Sequence, residues 1–412
     1  MKRIVFLFAI LLGSVFAYAE PFSEDIEVSV LTCSPGQEVY SLYGHTAIRV
    51  KDMNRDIDYV FNYGVFDFDT EYFVWKFVLG ETDYICMATP WEYFIQEYKA
   101  RGSQVVAQVL NLTESEAVAV RDYLMNNIKK ENRTYRYNFL TNNCTTRVMD
   151  CIDACVEGEL IYSWATEPLT YRQILHQYTK DYPWEEQGND FLLGADVDTL
   201  LSNRAKCFIP DYYMNALDKA VVRNGFQDTR KLVKTSEVLS QAENRHSKAG
   251  KSFPATPLVI GGLASALMLL VLMLEVFCKK VFWPLDMVLM LVHGLAGCLI
   301  AFMFFFSQHP AVGSNWLVGV LNPIPLIALP YTIKAAWKKE RSAWHYLMAT
   351  WMAFYLLFIP WMPQEICITA IFFVAIQLSR QISYILYYRH LPKNKIANKS
   401  QRKKAGKKKN EF

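Results

Sequence analysis

Tyr137-Asn138-Phe139-Leu140-Thr141-Asn142-Asn143-Cys144-Thr145-Thr146 reads as a short aromatic strand, a turn, and the start of a helix. From Cys144 onward, apolar residues recur at 144, 148, 151, 152 and 155, which is one face of a helix predicted over Cys144–Val156. The Cys144 thiol therefore falls in the first turn, where unpaired backbone N–H groups and the helix dipole favour an anion. Such positions bring a thiol pKa from about 8.5 down to roughly 3.5–7.5. The same N–H groups are placed to hold an oxyanion.

A base for that thiol comes from an earlier stretch, Ser41-Leu42-Tyr43-Gly44-His45-Thr46. His45–Lys51 alternates as a strand, Asp52–Asp56 is turn-rich, and Ile57–Tyr63 is the return strand of a predicted hairpin. His45 is one of three histidines before residue 257; His176 lies on an ordinary amphipathic helix and His246 in a polar stretch. An imidazole and a thiol in these settings make a thioester-forming pair, with Cys144 as nucleophile and His45 as base. A third group must orient the ring. Pairing about Asp52–Asp56 brings Asn62 and Tyr63 opposite His45: Asn62 offers an amide oxygen for the ring N–H, and a one-residue slip exchanges it for Tyr63. Asn143 either donates to the oxyanion or shapes the turn.

The other cysteines carry less. Cys151 and Cys155 lie on the apolar helix face and read as inert core thiols; their Cys-x-x-x-Cys spacing lacks the paired knuckles or nearby histidines of a zinc site. Cys33, Cys86 and Cys207 complete six cysteines before residue 257, with no readable disulfide connectivity. Arg172 is a candidate for a lipid phosphate or a salt bridge, and Trp184, Asp190 and Asp196 fall in a predicted loop. No cofactor or metal is called for.

Composition splits the chain. Residues 20–256 hold 24 Lys+Arg against 35 Asp+Glu, whereas residues 257–412 hold 17 against 5 in long apolar runs. The overall charge of +3 thus averages an acidic domain with a basic, apolar one. Residues 1–19 read as a signal peptide: Lys2-Arg3, an apolar core over Ile4–Leu12, then Ala17-Tyr18-Ala19, with cleavage before Glu20. Residues 20–235 are expected to form one exported domain and 236–256 a linker. Five spans are predicted at 257–277, 282–306, 316–336, 343–362 and 366–388. Lys279-Lys280, Lys338-Lys339-Arg341 and a basic tail over 389–412 fall on one side, while 307–315 and 363–365 carry no Lys or Arg. The positive-inside rule then places the tail in the cytoplasm and residues 20–256 in the periplasm. The tail's ten Lys/Arg point to anionic lipid rather than to nucleic acid. Asp286, His293 and Arg380 within the spans are costly in lipid and must face other helices or water. Residues 59–94 carry 13 aromatics, which read mainly as core, with some lining an acyl groove or lying at headgroup level.

Ser-Leu-Tyr-Gly-His-Thr-Ala-Ile-Arg-Val at 41–50, Phe-Asn-Tyr-Gly-Val-Phe-Asp-Phe at 61–68, Leu-Asn-Leu-Thr at 110–113 and the Asn-Asn-Cys stretch resemble the Lnb N-terminal periplasmic domain family. The five-span tail resembles that of Lnb-type lipoprotein N-acyltransferases of Bacteroides. The order His, polar residue, Asn-Cys also resembles the permuted NlpC-like group that includes lecithin–retinol acyltransferase. The resemblance implies an α+β, permuted papain-like periplasmic domain followed by a five-helix transmembrane bundle in the inner membrane. It implies an acyltransferase moving a fatty chain from a phospholipid donor to the N-terminal amine of a diacylated lipoprotein acceptor. Related enzymes often place a second His on the return strand, where this hairpin has Asn62 or Tyr63. Two competing classes are a periplasmic cysteine peptidase or amidase with an open polar cleft, and a non-enzymatic membrane sensor indifferent to loss of Cys144.

Overall fold

The computed structural model describes residues 25–242, apart from 37, 67, 68, 70, 165, 226 and 227, and residues 255–389. The expected signal peptide, most of the expected linker and the expected tail from 390 lie outside the described residues. The chain divides into two compact units.

The first unit is α+β. Strands β1 (Ile26–Cys33), β2 (His45–Asp52), β3 (Ile57–Val65), β4 (Asp83–Pro90), β5 (Val105–Leu110), β6 (Thr134–Arg136) and β10 (Val233–Ser240) form one antiparallel sheet in the order β10-β5-β1-β2-β3-β4-β6. A small sheet joins β7 (Glu159–Ile161), β8 (Val221–Asn224) and β9 (Asp228–Lys231).

Side-chain alternation assigns the two faces of the large sheet. Val28, Val30, Ile48, Val50, Phe61 and Tyr63 pack with helices Glu114–Asn127 and Cys144–Cys155. Leu31, Cys33, Ala47, Val60, Val105 and Ala107 pack with Phe94 and Tyr98 of helix Trp91–Arg101. The hairpin turn is fixed by Asp52, whose Oδ1 accepts from the backbone of Asn54 and Arg55 while Oδ2 accepts from buried Arg121 at 3.1 Å. A capping box starts the helix Glu114–Asn127: Thr113 and Glu116 exchange side-chain and backbone hydrogen bonds at its head.

Residues 236–240, expected as linker, belong to β10 at the sheet edge. Its buried positions are Val233 and Ser240, with exposed residues between, so the apolar alternation that announces a strand is missing.

The second unit combines Val74–Glu81 and Thr170–Leu200 with the C-terminal helices, so two stretches of the expected exported domain associate with the spans. Among the described residues, four helical stretches are long and apolar enough to cross a membrane: Pro257–Cys278, Trp283–Phe306, Trp316–Trp337 and Ile368–Arg389. Ala343–Phe358 has 16 residues and continues as a 3-10 turn to Trp361. The costly residues face inward, as expected: Arg380 pairs with Asp286 at 2.6 Å and with Glu275 at 2.8 Å, and His293 bonds the Val320 carbonyl at 2.6 Å.

Residues 170–200 are stitched to the Lys- and Arg-free loops. Gly194 N donates to Ala311 O at 2.7 Å, Asn315 Nδ2 to Phe191 O at 2.7 Å, and Gln364 Nε2 to Leu193 O at 3.2 Å.

Candidate active site

His45 opens β2 and Cys144 opens its helix, at one end of the large sheet. Gly44 lets the chain enter that strand: its φ is +80°, and a Cβ there would lie 2.7 Å from the Cys33 carbonyl. Cys33 pairs directly with His45 across β1 and β2.

The helix is held by its cap. Asn143 Oδ1 accepts from Thr146 N at 3.0 Å, and Thr146 Oγ1 accepts from Asn143 N at 2.8 Å. Asn143 Nδ2 donates to the carbonyls of Phe139 and Phe208, both at 2.8 Å. Both amide protons are therefore engaged, and of the two roles expected for Asn143 its bonds serve the turn. The cap reaches the third helical N–H and leaves those of Cys144 and Thr145 outside its reach.

Cys144 and His45 are near enough that each is the main charged neighbour of the other. Asn62 Oδ1 lies 3.1 Å from His45 Nε2. Asn62 Nδ2 donates to Val60 O at 3.2 Å and Thr89 Oγ1 at 3.3 Å, so the amide oxygen faces the ring. An oxygen there requires a proton on Nε2, which leaves Nδ1 as the basic nitrogen for the thiol. Tyr98 stacks on the ring with centroids 6.5 Å apart.

Asn62 reaches His45 diagonally, because its own partner across the ladder is Ala47, two residues along the same face. Tyr63 points to the other face, buried edge-on against Tyr135 at 6.1 Å. This corrects the expected register, in which Asn62 and Tyr63 lay opposite His45. Asn62 is brought to the dyad and Tyr63 is not.

Thr46 and Thr145 add contacts the sequence did not announce as functional. The Thr145 hydroxyl lies 3.9 Å from the sulfur and 3.1 Å from the Thr46 hydroxyl, and the Thr46 backbone N–H also favours the thiolate. Burial raises the thiol pKa, but the His45 charge and hydrogen bond, with Thr46 and Thr145, outweigh it, and Cys144 lies below its ordinary value. Burial also favours neutral His45, yet the Cys144 charge and the bonds to Cys144 and Asn62 lift its pKa above the ordinary 6.5. The two shifts favour a thiolate–imidazolium pair. Cys33, Cys86 and Cys207 are pushed up by burial and carry no such activation.

The Lnb N-terminal periplasmic domain model matches residues 21–177, and the Lnb transmembrane domain model matches residues 248–391. The chain belongs to the Lnb family. It is a membrane protein with a periplasmic domain. No curated protein and no solved structure gives a match.

Elsewhere in this Lnb-type chain the remaining candidates resolve into structure. Arg172 is buried, with Asp198 and Asp190 at 2.7 and 2.8 Å and the carbonyls of Leu193 and Gly194 completing its shell. It is an internal staple, and its donors are not free for a lipid phosphate. Trp184 and Asp190 lie in helix Pro183–Leu192 where a loop was expected; Asp196 follows in a 3-10 turn. Cys151 and Cys155 sit in the core, and all the described cysteines are free thiols.

Proposed function

We propose that this Lnb-type protein is an apolipoprotein N-acyltransferase that carries a fatty chain from phospholipid to the amine of a diacylglyceryl-cysteine N-terminus through Cys144. The observation that supports it most is the Cys144–His45 pair, with Asn62 behind the ring, in a periplasmic domain joined to a transmembrane one.

His45 Nδ1 takes the thiol proton, and the thiolate attacks a phospholipid ester carbonyl. The C–S bond forms, and the N–H groups of Cys144 and Thr145 receive the oxyanion. Collapse breaks the C–O bond, and His45 returns its proton to the departing lysophospholipid oxygen. The neutral lipoprotein amine then attacks the thioester: a C–N bond forms, the C–S bond breaks, and the amine proton passes to His45. An α-amine with a pKa of about 7.7–8.0 is partly neutral at physiological pH, so modest base assistance suffices. No cofactor enters the balance. Anchoring the domain at the membrane raises its effective concentration near both lipid substrates.

In this reading residues 1–19 direct export and 20–240 carry the permuted NlpC-like domain and its associated segments. Five helices follow, with Ala343–Trp361 as the shortest span, and a cytoplasmic basic tail begins at 389. The order of strand His, return-strand Asn and helix-terminal Cys supports the fold assignment.

Expression in cells lacking their own lipoprotein N-acyltransferase tests the function. Mass spectrometry of a reporter lipoprotein is expected to show one added acyl chain, and no added chain with a correctly inserted protein overturns the proposal. A smaller effect attaches to Asn62→Ala. Losing one hydrogen bond of about 1–1.5 kcal/mol to the imidazole is expected to lower turnover about tenfold. Initial-rate assays in proteoliposomes read it, and an unchanged rate removes Asn62 from the mechanism.

A further inference from the structure

Helix α1 (Phe73–Leu79) reads Phe-Val-Trp-Lys-Phe-Val-Leu, and none of its residues is buried. Val74, Trp75 and Phe77 are 74%, 56% and 46% exposed. Seven residues are too few to hold a helix alone. The segment is instead fastened to the end of the membrane helix Trp283–Phe306. Ser307 Oγ donates to Val78 O at 2.8 Å, Gln308 N to Leu79 O at 2.7 Å, and Gln308 Nε2 to Glu81 at 2.9 Å. The His309 ring bonds the Phe77 carbonyl and meets the Phe77 ring edge-on at 5.3 Å. Gly80 is built for this approach, since a Cβ there would lie 2.6 Å from His309 N.

Residues 73–79 lie within the stretch matched by the periplasmic-domain model, so this end of the membrane helix is its periplasmic end. The depth follows from one contact. Trp75 packs on Phe302 with centroids 5.3 Å apart. Phe302 is five residues inside Ser307, or about 7.5 Å along the helix axis. Phe305 and Phe306 beside it are 69% and 66% exposed, so the bare face of α1 continues the apolar wall of a membrane span. In water such a surface is costly; in an interface it is the expected face of a segment embedded some 5–10 Å deep.

We propose that α1 is an interfacial helix, with its Val74–Trp75–Phe77 face embedded in the outer leaflet of phospholipid and Lys76 reaching the headgroups. The continuity with the wall at Phe305 and Phe306 selects lipid, rather than a protein partner, as the occupant. Trp75 then stands at the level of the phospholipid ester bonds. The embedding does not rest on the proposed acyl transfer.

The test uses the full chain in nanodiscs of phosphatidylcholine brominated high on its acyl chains, comparing tryptophan emission of the wild type with that of Trp75→Phe. The Trp75 contribution, taken as the difference, is expected to fall about twofold or more in brominated lipid and to resist aqueous iodide. A Trp75 contribution untouched by brominated lipid and quenched by iodide overturns the proposal. The readout needs no turnover, so its failure and the failure of the acyltransferase reading are separate results.

Discussion

Cys144→Ala is expected to leave the reporter lipoprotein diacylated, with transfer reduced by at least about 10³-fold, the scale on which removing a covalent nucleophile acts. The substitution should do little else. Cys144 is partly exposed at the first turn of a helix whose cap is made by Asn143 and Thr146, and alanine suits that position. Cys144→Ser is a sharper version. A hydroxyl at the same place can accept the Thr46 N–H but is far harder for an imidazole to deprotonate, so it is also expected to be inactive. Cys151→Ala is the contrasting control: that thiol is fully buried on the core face, and its loss should lower stability by about 1 kcal/mol while transfer continues. Equal activity in wild type and Cys144→Ala, by mass spectrometry of the reporter, would remove the nucleophile from the account.

His45→Ala is expected to reduce transfer by about 10²–10⁴-fold, the range of a general acid–base group. It should also change the thiol itself. With His45 present, the thiolate persists below the ordinary thiol pKa, so the alkylation profile of Cys144 with iodoacetamide should lie on the acid side of an ordinary thiol's. Alkylation should slow only as acid protonates the sulfur. Without the imidazole, burial is the largest remaining influence and raises the pKa. The alkylation profile should therefore move toward alkaline pH. For thioester formation in the wild type, the acid limb reports protonation of Cys144 and the alkaline limb loss of the His45 proton needed by the leaving oxygen. Coincident alkylation profiles in wild type and His45→Ala would show that the two groups do not interact.

The chemistry-bearing residues were legible because each sits at an element boundary with a strong local signature. The alternation from His45, the turn at Asp52–Asp56 and the helical period after Cys144 survive without tertiary information. Asn62 was found by type, as an amide on the return strand, but its diagonal approach was not. The irregularity after Asn62, near Gly64, ends the regular ladder, and the turn sets a register two residues from the one expected. Tyr98 stacks on His45 from a position 53 residues further along the chain, a contact written only in the packing of the second sheet face. Arg172 shows the opposite failure: a lone arginine in sequence finds its two carboxylates 18 and 26 residues downstream and becomes interior. The association of α1 and residues 170–200 with the membrane loops runs through hydrogen bonds to backbone carbonyls from main-chain and side-chain donors alike, which apolar patterning does not encode.

One measurement bears on the centre of the account more directly than any turnover assay. The protein is incubated in phospholipid bilayers without an acceptor amine, quenched in acid, and its Cys144 peptide weighed. The account predicts a fatty acyl adduct on that sulfur, released by neutral hydroxylamine and gone once a diacylated lipoprotein peptide is supplied. A bare Cys144 in a preparation that still acylates lipoproteins, or an adduct carried by another residue, would contradict it.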